Sequence, residues 1–399
     1  MLKEDGETVR AKRPTVLGNF RSFAASIDKQ NDGMARTLQR TLECPIRHAG
    51  ARARRPLMSK DDIISTLDRS GASADEPIEQ RGDRGSKPGQ PVQGEIGVVG
   101  LGHMGTAMAV NLAAAGHRVM AYVRRREKLD ELVALGLAPT LDLVDLLDCE
   151  VVISMLPDDA AVRDVVLGRP TLGIKGLATG LKPGAIHLSM STISSSTASD
   201  LASEHARHGQ GYVAAPVFGN PDAARARQLF VVAAGAAADV ERCRPILDSL
   251  GQKTFVVGTD PGHANLIKLL GNMVTATAIE MLAEVVAVLL RRGHDPKSFI
   301  DILTSTMFGG RAHKIYSDKI VRQSYAPGFA LPLVLKDVRL ALAEAEKAGA
   351  PMPSVSVVRD RLITGISRGY GDLDWTALGL IAVEEAGFSV VSPVPPRAG

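Results

Sequence analysis

Short apolar runs alternate with helical stretches from about residue 95 onward. The run EIGVVG (95–100) is followed by a helical pattern over 103–116 and then by the run HRVMAYV (117–123). Apolar runs of this length between turn residues are typical of buried strands. The alternation continues with helical patterns near 126–136, 141–147 and 160–168 and with strand-like runs at 150–156, 185–190, 212–217, 229–235 and 253–258. This pattern predicts an α/β domain whose mostly parallel sheet is covered on both faces.

The pattern changes after Gly258, where the strand-like runs stop. Residues 261–291 have helical periodicity throughout, which corresponds to about 45 Å of helix at ~1.5 Å per residue. The remaining chain is helical in pattern over 295–305, 331–348, 354–368 and 374–386. The predicted organisation is an extension (1–92), an α/β domain (93–258), an interdomain helix (259–292), an all-α domain (293–390) and a tail (391–399).

The first 92 residues lack this periodicity. They are rich in arginine up to Lys60, and they lead into the Gly/Pro/polar stretch QRGDRGSKPGQPVQG (80–94). Such a composition cannot bury enough apolar surface to fold, so the segment is predicted to be a disordered or loosely ordered extension. Glu4, Asp5 and Glu7 argue against a transit peptide, because such peptides are poor in acidic residues.

Composition narrows the class of protein. The 399 residues are 45% hydrophobic and 23% charged with a formal net charge of +3, which favours neither a nucleic-acid nor a membrane partner. No apolar stretch is expected to span a bilayer, because glutamates or glycines interrupt each one. The widely spaced Cys44, Cys149 and Cys243 favour a reducing compartment, and the predicted location is the cytoplasm. His205-x-x-His208 has no neighbouring cysteine, and the chain has no HExxH, so no metal site is predicted.

The turn after the first predicted strand is rich in glycine. Gly100 permits a tight turn, Gly102 lets the backbone approach a pyrophosphate, and Gly105 lets the next helix pack on the strand. The N-terminus of that helix directs N–H groups and a positive dipole at the phosphates. An ordinary tight turn also uses glycine, but the strand–turn–helix context predicts a Rossmann-type dinucleotide site. The loop residues predicted to contact the cofactor are Gly100, Leu101, Gly102, His103, Met104 and Gly105.

The end of the second predicted strand discriminates between dinucleotides. Enzymes that use NAD usually carry an acidic residue about 20 residues beyond the glycines, where it binds the ribose 2′-hydroxyl. This strand ends in AYVRRREK, with no acidic residue before Glu127. Arg124 or Arg125 would attract a 2′-phosphate through charge-assisted hydrogen bonds, whereas Arg126 fits a solvated helix start. NADP(H) is therefore the predicted cofactor, with NAD(H) as the alternative.

A polar stripe runs along the long apolar helix. Asn265, Lys268, Asn272 and Thr275 fall at i, i+3, i+7 and i+10, which places them on one side of the helix. This side lies at the junction of two domains, where clefts tend to form. Burial lowers the pKa of a lysine towards neutrality, so Lys268 is predicted to be a proton donor. Asn272, one turn further, is predicted to orient a substrate oxygen or the ammonium. The alternative is a surface lysine that extends into water.

These features together predict hydride transfer. A nicotinamide delivers hydride to a carbonyl carbon, and negative charge grows on the oxygen. An ammonium within hydrogen-bond reach stabilises that charge and then donates a proton, and the reverse reaction needs the same group as a base. This chemistry requires no metal.

Residues 95–388 resemble the β-hydroxyacid dehydrogenases, the group that includes 3-hydroxyisobutyrate dehydrogenase and tartronate semialdehyde reductase. The resemblance implies an α/β Rossmann-type dinucleotide-binding domain, a long connecting helix and an all-α C-terminal domain, as in 6-phosphogluconate dehydrogenase-like proteins. It rests on motifs in the family's order: GVVGLGHMGTAMAVNLAAAGHRV (97–119), ISMLPDD (153–159), SMSTIS (189–194), AAPVFGN (214–220), NLIKLLGN (265–272), LKDVRLALAEA (335–345) and GYGDLDWTAL (369–378).

The same resemblance implies roles for individual residues. It implies Lys268 as the proton donor and Asn272 as a substrate ligand. The further residues that it implies as cofactor contacts are Met155, Leu156, Pro157, Thr192 and Lys336. Those that it implies as substrate contacts are Ser191, Phe218, Gly219 and Asn220.

Three departures from the family pattern bear on the substrate. Ser189 stands where the family usually has aspartate, Phe218 stands where it has serine, and Asn220 stands where it has glycine. Phenylalanine cannot donate a hydrogen bond, and a buried carboxylate without donors is costly. The amide of Asn220 is expected to replace some of the lost bonding. A larger or more apolar carbonyl compound than a small hydroxy acid is therefore predicted.

Two other functions fit parts of the sequence. One is imine reduction, but related imine reductases typically carry Asp or Tyr where this chain has Lys268. The other is a non-catalytic NADPH-binding or scaffold protein, which the altered loop at Phe218 favours and the Lys268–Asn272 pair opposes. The predicted partners are a small carbonyl or hydroxy compound and further copies of the chain, because the long apolar helix favours a homodimer or higher homo-oligomer.

Overall fold

The computed structural model describes residues 94–389 except 170, 172 and 307. The predictions for the extension at 1–92 and the tail at 391–399 concern residues outside this range. Within it, a Rossmann-type α/β part is followed by a long helix and an all-helical part, which confirms the predicted fold class.

The α/β part is built on a nine-stranded sheet. The strands in chain order are β1 (Ile96–Val99), β2 (Val119–Tyr122), β3 (Ala138–Thr140), β4 (Val151–Ser154), β5 (Gly168–Arg169), β6 (Ile174–Lys175), β7 (Ile186–Ser189), β8 (Gly211–Ala214), β9 (Val217–Phe218), β10 (Leu229–Gly235) and β11 (Gly251–Val256). The order in the sheet is β11-β10-β8-β7-β4-β1-β2-β3 with β9 paired to β10, while β5 and β6 form a separate hairpin. Neighbouring strands of the large sheet are parallel except where β10 meets β8 and β9.

Helices follow most of the strands. They are α1 (His103–Ala114), α2 (Leu129–Ala134), α3 (Asp159–Leu167), α4 (Leu177–Gly180), α5 (Ser195–Arg207), α6 (Pro221–Arg225) and α7 (Ala237–Leu250), with 3-10 turns at Arg126–Lys128 and Leu143–Asp148. Both faces of the sheet are covered by apolar clusters. On β1, Ile96 and Val98 belong to one cluster and Val99 to the other, as the two-residue period of a strand requires.

The strand order creates a crevice at one end of β1. Val99 lies beside Tyr122 of β2 on one side and beside Ser154 of β4 on the other. The chain thus continues from β1 to β2 and β3 on one side of β1, and β4 then lies on the other side of β1. Ligands of open α/β sheets bind outside the carboxyl ends of the strands at such a switch point.

The second part of the described chain is helical. Its helices are α8 (Pro261–Arg291), α9 (Pro296–Ser305), α10 (Arg311–Val321), α11 (Leu331–Ala348), α12 (Pro353–Ser367) and α13 (Leu378–Glu385), with a 3-10 turn at Trp375–Ala377. The bounds of α8 and α11 agree with the predicted 261–291 and 331–348. Helix α10 (RAHKIYSDKIV) was not predicted, although Ala312, Ile315, Tyr316 and Ile320 fall at helical spacing; only Ser317 and Ile320 of it are buried.

Helix α8 connects the two parts. It packs against α5 and β10 on the α/β side and against α11 and α13 on the helical side. The expectation that no stretch could cross a bilayer was too strict, since an 18-residue window of α8 has a mean hydropathy of 2.0. Length and composition alone do not separate a membrane span from a core helix, and packing on both parts of the fold is what a core helix shows. The cytoplasmic location stays a prediction.

His205 takes part in a buried polar chain. Its Nε2 lies 3.0 Å from Nδ1 of His187, and its Nδ1 lies 2.7 Å from Oε1 of Gln210. Nε2 of His187 lies 2.9 Å from Oγ of Ser154. Burial lowers the pKa of His205 to about 4 and that of His187 well below its ordinary value, so both rings are neutral at neutral pH. Among the described residues, no group of three or more His, Cys, Asp and Glu side chains is placed to hold a metal ion.

Candidate active site

A cavity of about 1050 Å³ lies at the carboxyl ends of β1 and β4. Its size is that of a ligand site, on the order of 300–1,000 Å³. Every residue predicted to contact the cofactor lines it, namely Gly100, Leu101, Gly102, His103, Met104, Gly105, Arg124, Arg125, Met155, Leu156, Pro157, Thr192 and Lys336. The fold therefore brings this whole predicted set together around one space.

The three glycines of the turn meet different surroundings. Gly100 has a φ of 97°, and a Cβ there would lie 2.2 Å from the carbonyl oxygen of Met155. A Cβ on Gly105 would lie 1.9 Å from the carbonyl oxygen of Gly100, so neither position accepts a side chain. A Cβ on Gly102 would meet nothing within 4 Å, because this residue faces open space at the cavity wall. The turn is thus closed on the protein side and open where a pyrophosphate would approach, directly before the N-terminus of α1.

Basic residues follow β2 at the rim of the cavity. Arg124 and Arg125 are exposed, and no ion pair of either is recorded within the described part of the chain. Lys128 and Lys175 also line the cavity, although Lys128 forms an ion pair with Glu131 at 2.6 Å. Neither lysine was among the predicted cofactor contacts. Lys128 belongs to the same basic run, whereas Lys175 reaches the cavity from the hairpin of β5 and β6, which no sequence pattern indicated.

Ser191 connects two loops at the bottom of the crevice. Its hydroxyl accepts a hydrogen bond from the backbone N–H of Leu156 at 2.8 Å and donates to the carbonyl oxygen of Ser154 at 3.3 Å. The side chain is fully buried. In this structure the hydroxyl therefore positions the loop after β4, and the predicted contact of Ser191 with substrate stays a prediction.

The loop after β7 is held by the helical part. The ammonium of Lys336 on α11 donates to the carbonyl oxygen of Thr192, and the backbone N–H of Ile193 donates to Oδ1 of Asn265 at 3.3 Å. The backbone N–H of Ser194, the residue after Ile193, donates to Oδ1 of Asp159 on α3 at 2.8 Å. Both parts of the fold thus fix this segment of the cavity wall.

Lys268 is buried within a hydrogen-bonded network. Its ammonium donates to Oδ1 of Asn272 at 2.8 Å, and Nδ2 of Asn272 donates to Oδ2 of Asp337 at 2.6 Å. The other oxygen of Asp337 lies 2.8 Å from the ammonium of Lys336. Lys268 is only 7% exposed and Asp337 is fully buried. The charges of Lys268, Lys336 and Asp337 are therefore stabilised mainly by one another and not by water.

Burial lowers the pKa of Lys268 to about 8, from an ordinary value of 10.5, while the carboxylate of Asp337 opposes that shift and the ammonium of Lys336 adds to it. An amine with this pKa exchanges its proton readily near neutral pH, as a general acid or base must. Because Lys268 is buried, it is not a surface lysine whose amine extends into water, which was the alternative considered from the sequence.

Lys268 lies beside the cavity and is connected to it by the hydrogen bonds of Asn272 and Asp337. Asp337 and Lys336 line the cavity, whereas Lys268, Asn272 and Phe218 do not. Asp337 was not among the predicted site residues, although LKDVRLALAEA places it directly after Lys336. The ammonium of Lys268 is thus connected to the cavity wall by the amide of Asn272 and the carboxylate of Asp337.

In the loop predicted to contact substrate, Asn220 has a structural role, and its contact with substrate stays a prediction. Its Oδ1 accepts a hydrogen bond from the backbone N–H of Ala223 at 2.9 Å and thereby caps α6. Only its NH₂ group is left for other partners. Gly219 is exposed with a φ of 143°. The ammonium nitrogen of Lys268 lies over the ring of Phe218, 4.5 Å from the ring centroid.

Two family profiles match the chain. Residues 95–258 match the NAD-binding domain of 6-phosphogluconate dehydrogenase. Residues 262–380 match the NAD-binding region of NADP-dependent 3-hydroxyisobutyrate dehydrogenase. Together the profiles span the α/β part, helix α8 and most of the helical part.

Individual proteins match over the same region. The uncharacterized oxidoreductase YfjR of Bacillus subtilis is 38% identical, over 71% of this chain and 98% of that protein. Glyoxylate/succinic semialdehyde reductase 1 of Arabidopsis thaliana is 30% identical, over 71% of this chain and 96% of that protein. The structure of Mycobacterium tuberculosis 3-hydroxyisobutyrate dehydrogenase with L-serine is 26% identical with a TM-score of 0.64, over 72% of this chain and 98% of that one.

Proposed function

Because the chain belongs to the β-hydroxyacid dehydrogenase family of NAD(P)-dependent oxidoreductases, we propose that it reduces a carbonyl compound with NADP(H) and uses Lys268 as the proton donor. The observation that carries this proposal is the buried path from Lys268 through Asn272 to Asp337, which ends at the cavity wall. Burying an ammonium is costly, and a lysine without a function would extend its amine into water.

The chain's own residues handle the proton. When bound, NADPH supplies a hydride to the carbonyl carbon of the substrate. In this proposal the substrate carbonyl must extend past Asp337 to the ammonium of Lys268, which does not itself line the cavity. There Lys268 donates a proton to the substrate oxygen as negative charge develops, and its amine is left neutral. Asn272 holds one of the three N–H bonds of the ammonium and so orients the others. Asp337 favours the charged form of Lys268 and thereby keeps the donor protonated. In the reverse direction the neutral amine accepts the proton of the alcohol.

Replacing Lys268 with alanine is expected to lower kcat/KM for the best carbonyl substrate by about 10²-fold or more, because the general acid is lost. Lys268→Arg is the matched control, since it keeps the positive charge but does not release a proton near neutral pH, and it should be similarly impaired. The measurement is NADPH oxidation with a panel of aldehydes, keto acids and cyclic imines. Full activity of Lys268→Ala would contradict the assigned role. Turnover of imines alone would favour imine reduction, and NADPH binding without turnover would favour a non-catalytic protein.

The pH profile of the unsubstituted enzyme follows from the same lysine. Reduction needs the ammonium, so kcat/KM for the carbonyl compound should fall as the pH rises through about 8. Oxidation of the corresponding alcohol needs the neutral amine, so its kcat/KM should rise through the same pH. If kcat/KM for reduction and kcat/KM for oxidation did not change in opposite directions with pH, Lys268 would not be the group that exchanges the proton.

We further propose that NADP(H) is preferred over NAD(H). The support is the basic run after β2, whose Arg124, Arg125 and Lys128 line the cavity without an acidic residue in the position that would bind a ribose 2′-hydroxyl. The profile matched by residues 262–380 is likewise that of an NADP-dependent dehydrogenase.

Substitution of Arg124 by alanine is expected to raise KM for NADPH by about tenfold and to change KM for NADH little, because a charge-assisted bond to the 2′-phosphate is lost. Arg126→Ala is the control, since Arg126 is equally exposed but does not line the cavity. Steady-state kinetics with both cofactors decide the matter. Equal effects of Arg124→Ala on NADPH and NADH would remove the 2′-phosphate argument.

Self-association through α8 is also proposed. Four large apolar side chains of this helix are exposed, and their spacing of four and seven residues places them on one side: Leu270 (39%), Val274 (74%), Met281 (54%) and Val288 (62%). Light scattering of the intact protein should give a dimer or larger assembly, and Val274→Glu should shift it towards monomer. A monomeric unsubstituted protein would contradict the proposal.

A further inference from the structure

Phe218 contacts the proposed proton donor where the family motif has a serine. It ends the short strand β9, and antiparallel pairing with β10 places it opposite Phe230. Its ring centroid lies 4.5 Å from Nζ of Lys268, which is the geometry of a cation–π contact. One side of the ammonium is therefore covered by an aromatic ring, while Asn272 holds one of its N–H bonds.

Gly271 on α8 provides the space for this ring. A Cβ at position 271 would lie 2.5 Å from Cζ and 2.6 Å from Cε1 of Phe218, which is closer than real Cβ atoms approach other atoms. A glycine inside a helix costs stability relative to alanine, so this position needs a packing explanation. The ring of Phe218 packs against the helix backbone at Gly271, which explains why this position has no side chain. We refer to these two residues as the Phe218–Gly271 pair.

The surroundings offer a carboxylate few free partners. Phe218 has no polar side-chain atom, and Oδ1 of Asn220 caps α6, so the NH₂ group of Asn220 is the one side-chain donor that residues 218–220 offer. Lys336 is paired with Asp337 and donates to the backbone oxygen of Thr192. Asp337 is itself a buried carboxylate at the cavity wall and would repel a second one.

The cavity wall that contains Lys336 and Asp337 also contains apolar side chains, namely Pro221, Phe329 and Leu333. An alkyl or aryl group gains free energy when it leaves water for such a surface. A carboxylate in the same place would lose its hydration, and the lysine at this wall, Lys336, is already paired with Asp337.

We propose that Phe218, which is seated against Gly271 and covers the ammonium that must meet the substrate oxygen, determines substrate selectivity from behind the cavity wall, favouring carbonyl compounds with an alkyl or aryl flank over small carboxylate-bearing aldehydes and keto acids. The inference rests on the proposed function. The reaction balances as carbonyl, NADPH and a proton from Lys268 giving alcohol and NADP⁺, with the hydride on carbon and the proton on oxygen.

The selectivity test uses two aldehydes of the same shape. In 4-methylpentanal an isopropyl group replaces the carboxylate of succinic semialdehyde. The unsubstituted enzyme should reduce 4-methylpentanal with a kcat/KM at least about tenfold higher, in line with the cost of a carboxylate that lacks free partners. Phe218→Ser should move that ratio at least about tenfold towards succinic semialdehyde, because it restores a hydrogen-bonding side chain. Phe255→Ser, which removes an exposed phenylalanine from the edge strand β11, is the matched control and should leave the ratio unchanged.

A thermal melt tests the pair without using activity. Gly271→Ala should lower the melting temperature, because the new methyl group collides with the ring. In the Phe218→Ser background the same substitution should be neutral or stabilising, since the ring is gone and alanine is the better helix former. Equal destabilisation by Gly271→Ala in both backgrounds would show that the glycine does not serve the ring and would overturn the inference.

The outcomes separate the inference from the function on which it rests. An enzyme that reduces carbonyl compounds but prefers succinic semialdehyde, or whose preference is unchanged by Phe218→Ser, would overturn the selectivity role and leave the proposed function standing. An enzyme that reduces no aldehyde, keto acid or imine would overturn both.

Discussion

The buried ammonium of Lys268 is the feature on which the arrangement of the site depends. A charged amine that is only 7% exposed is tolerated because Asn272 accepts its hydrogen bond and passes the interaction on to Asp337. Burial favours the neutral amine and the nearby carboxylate favours the ammonium, so the pKa settles at about 8, where both forms are accessible near neutral pH. The same contacts tie α8 to α11, because Asp337 belongs to the second helix.

This constraint makes both parts of the fold contribute to one site. The glycine turn after β1 and the basic run after β2 come from the sheet, and Lys268, the proposed proton donor, comes from α8. The segment after β7 is fixed by Lys336 and Asn265, which belong to the helical part and the connecting helix. A dinucleotide-binding sheet alone would therefore lack both Lys268, the proposed donor, and part of the cavity wall.

Much of this could be read from the sequence where the signal is local. Helix α8 was bounded correctly because its apolar pattern is long. The residues predicted to contact the cofactor line one cavity because the glycines and arginines follow strands whose ends meet at a switch point, and their contact with the cofactor stays a prediction. Helix α10 was missed because it buries few side chains. Asn220 was assigned to substrate, although an asparagine before proline at a helix start already indicated a cap.

Contacts between distant residues could not be predicted. Phe218 was recognised as a departure from the family motif, but nothing in NLIKLLGN indicates that Gly271 is the residue that receives its ring. Likewise Asp337 follows Lys336 directly, yet its bond to Asn272 depends on how α8 and α11 pack. Such pairings are decided by tertiary geometry and have no local sequence signature.

The most direct test of the account is an NMR titration of the Lys268 side chain, with isotope-labelled lysine and the Lys268→Arg variant to assign the signal. A midpoint near 8, moving lower in Asp337→Asn, is the result expected of a buried ammonium that the carboxylate supports. A midpoint at the ordinary value of 10.5, unaffected by Asp337→Asn, would contradict it.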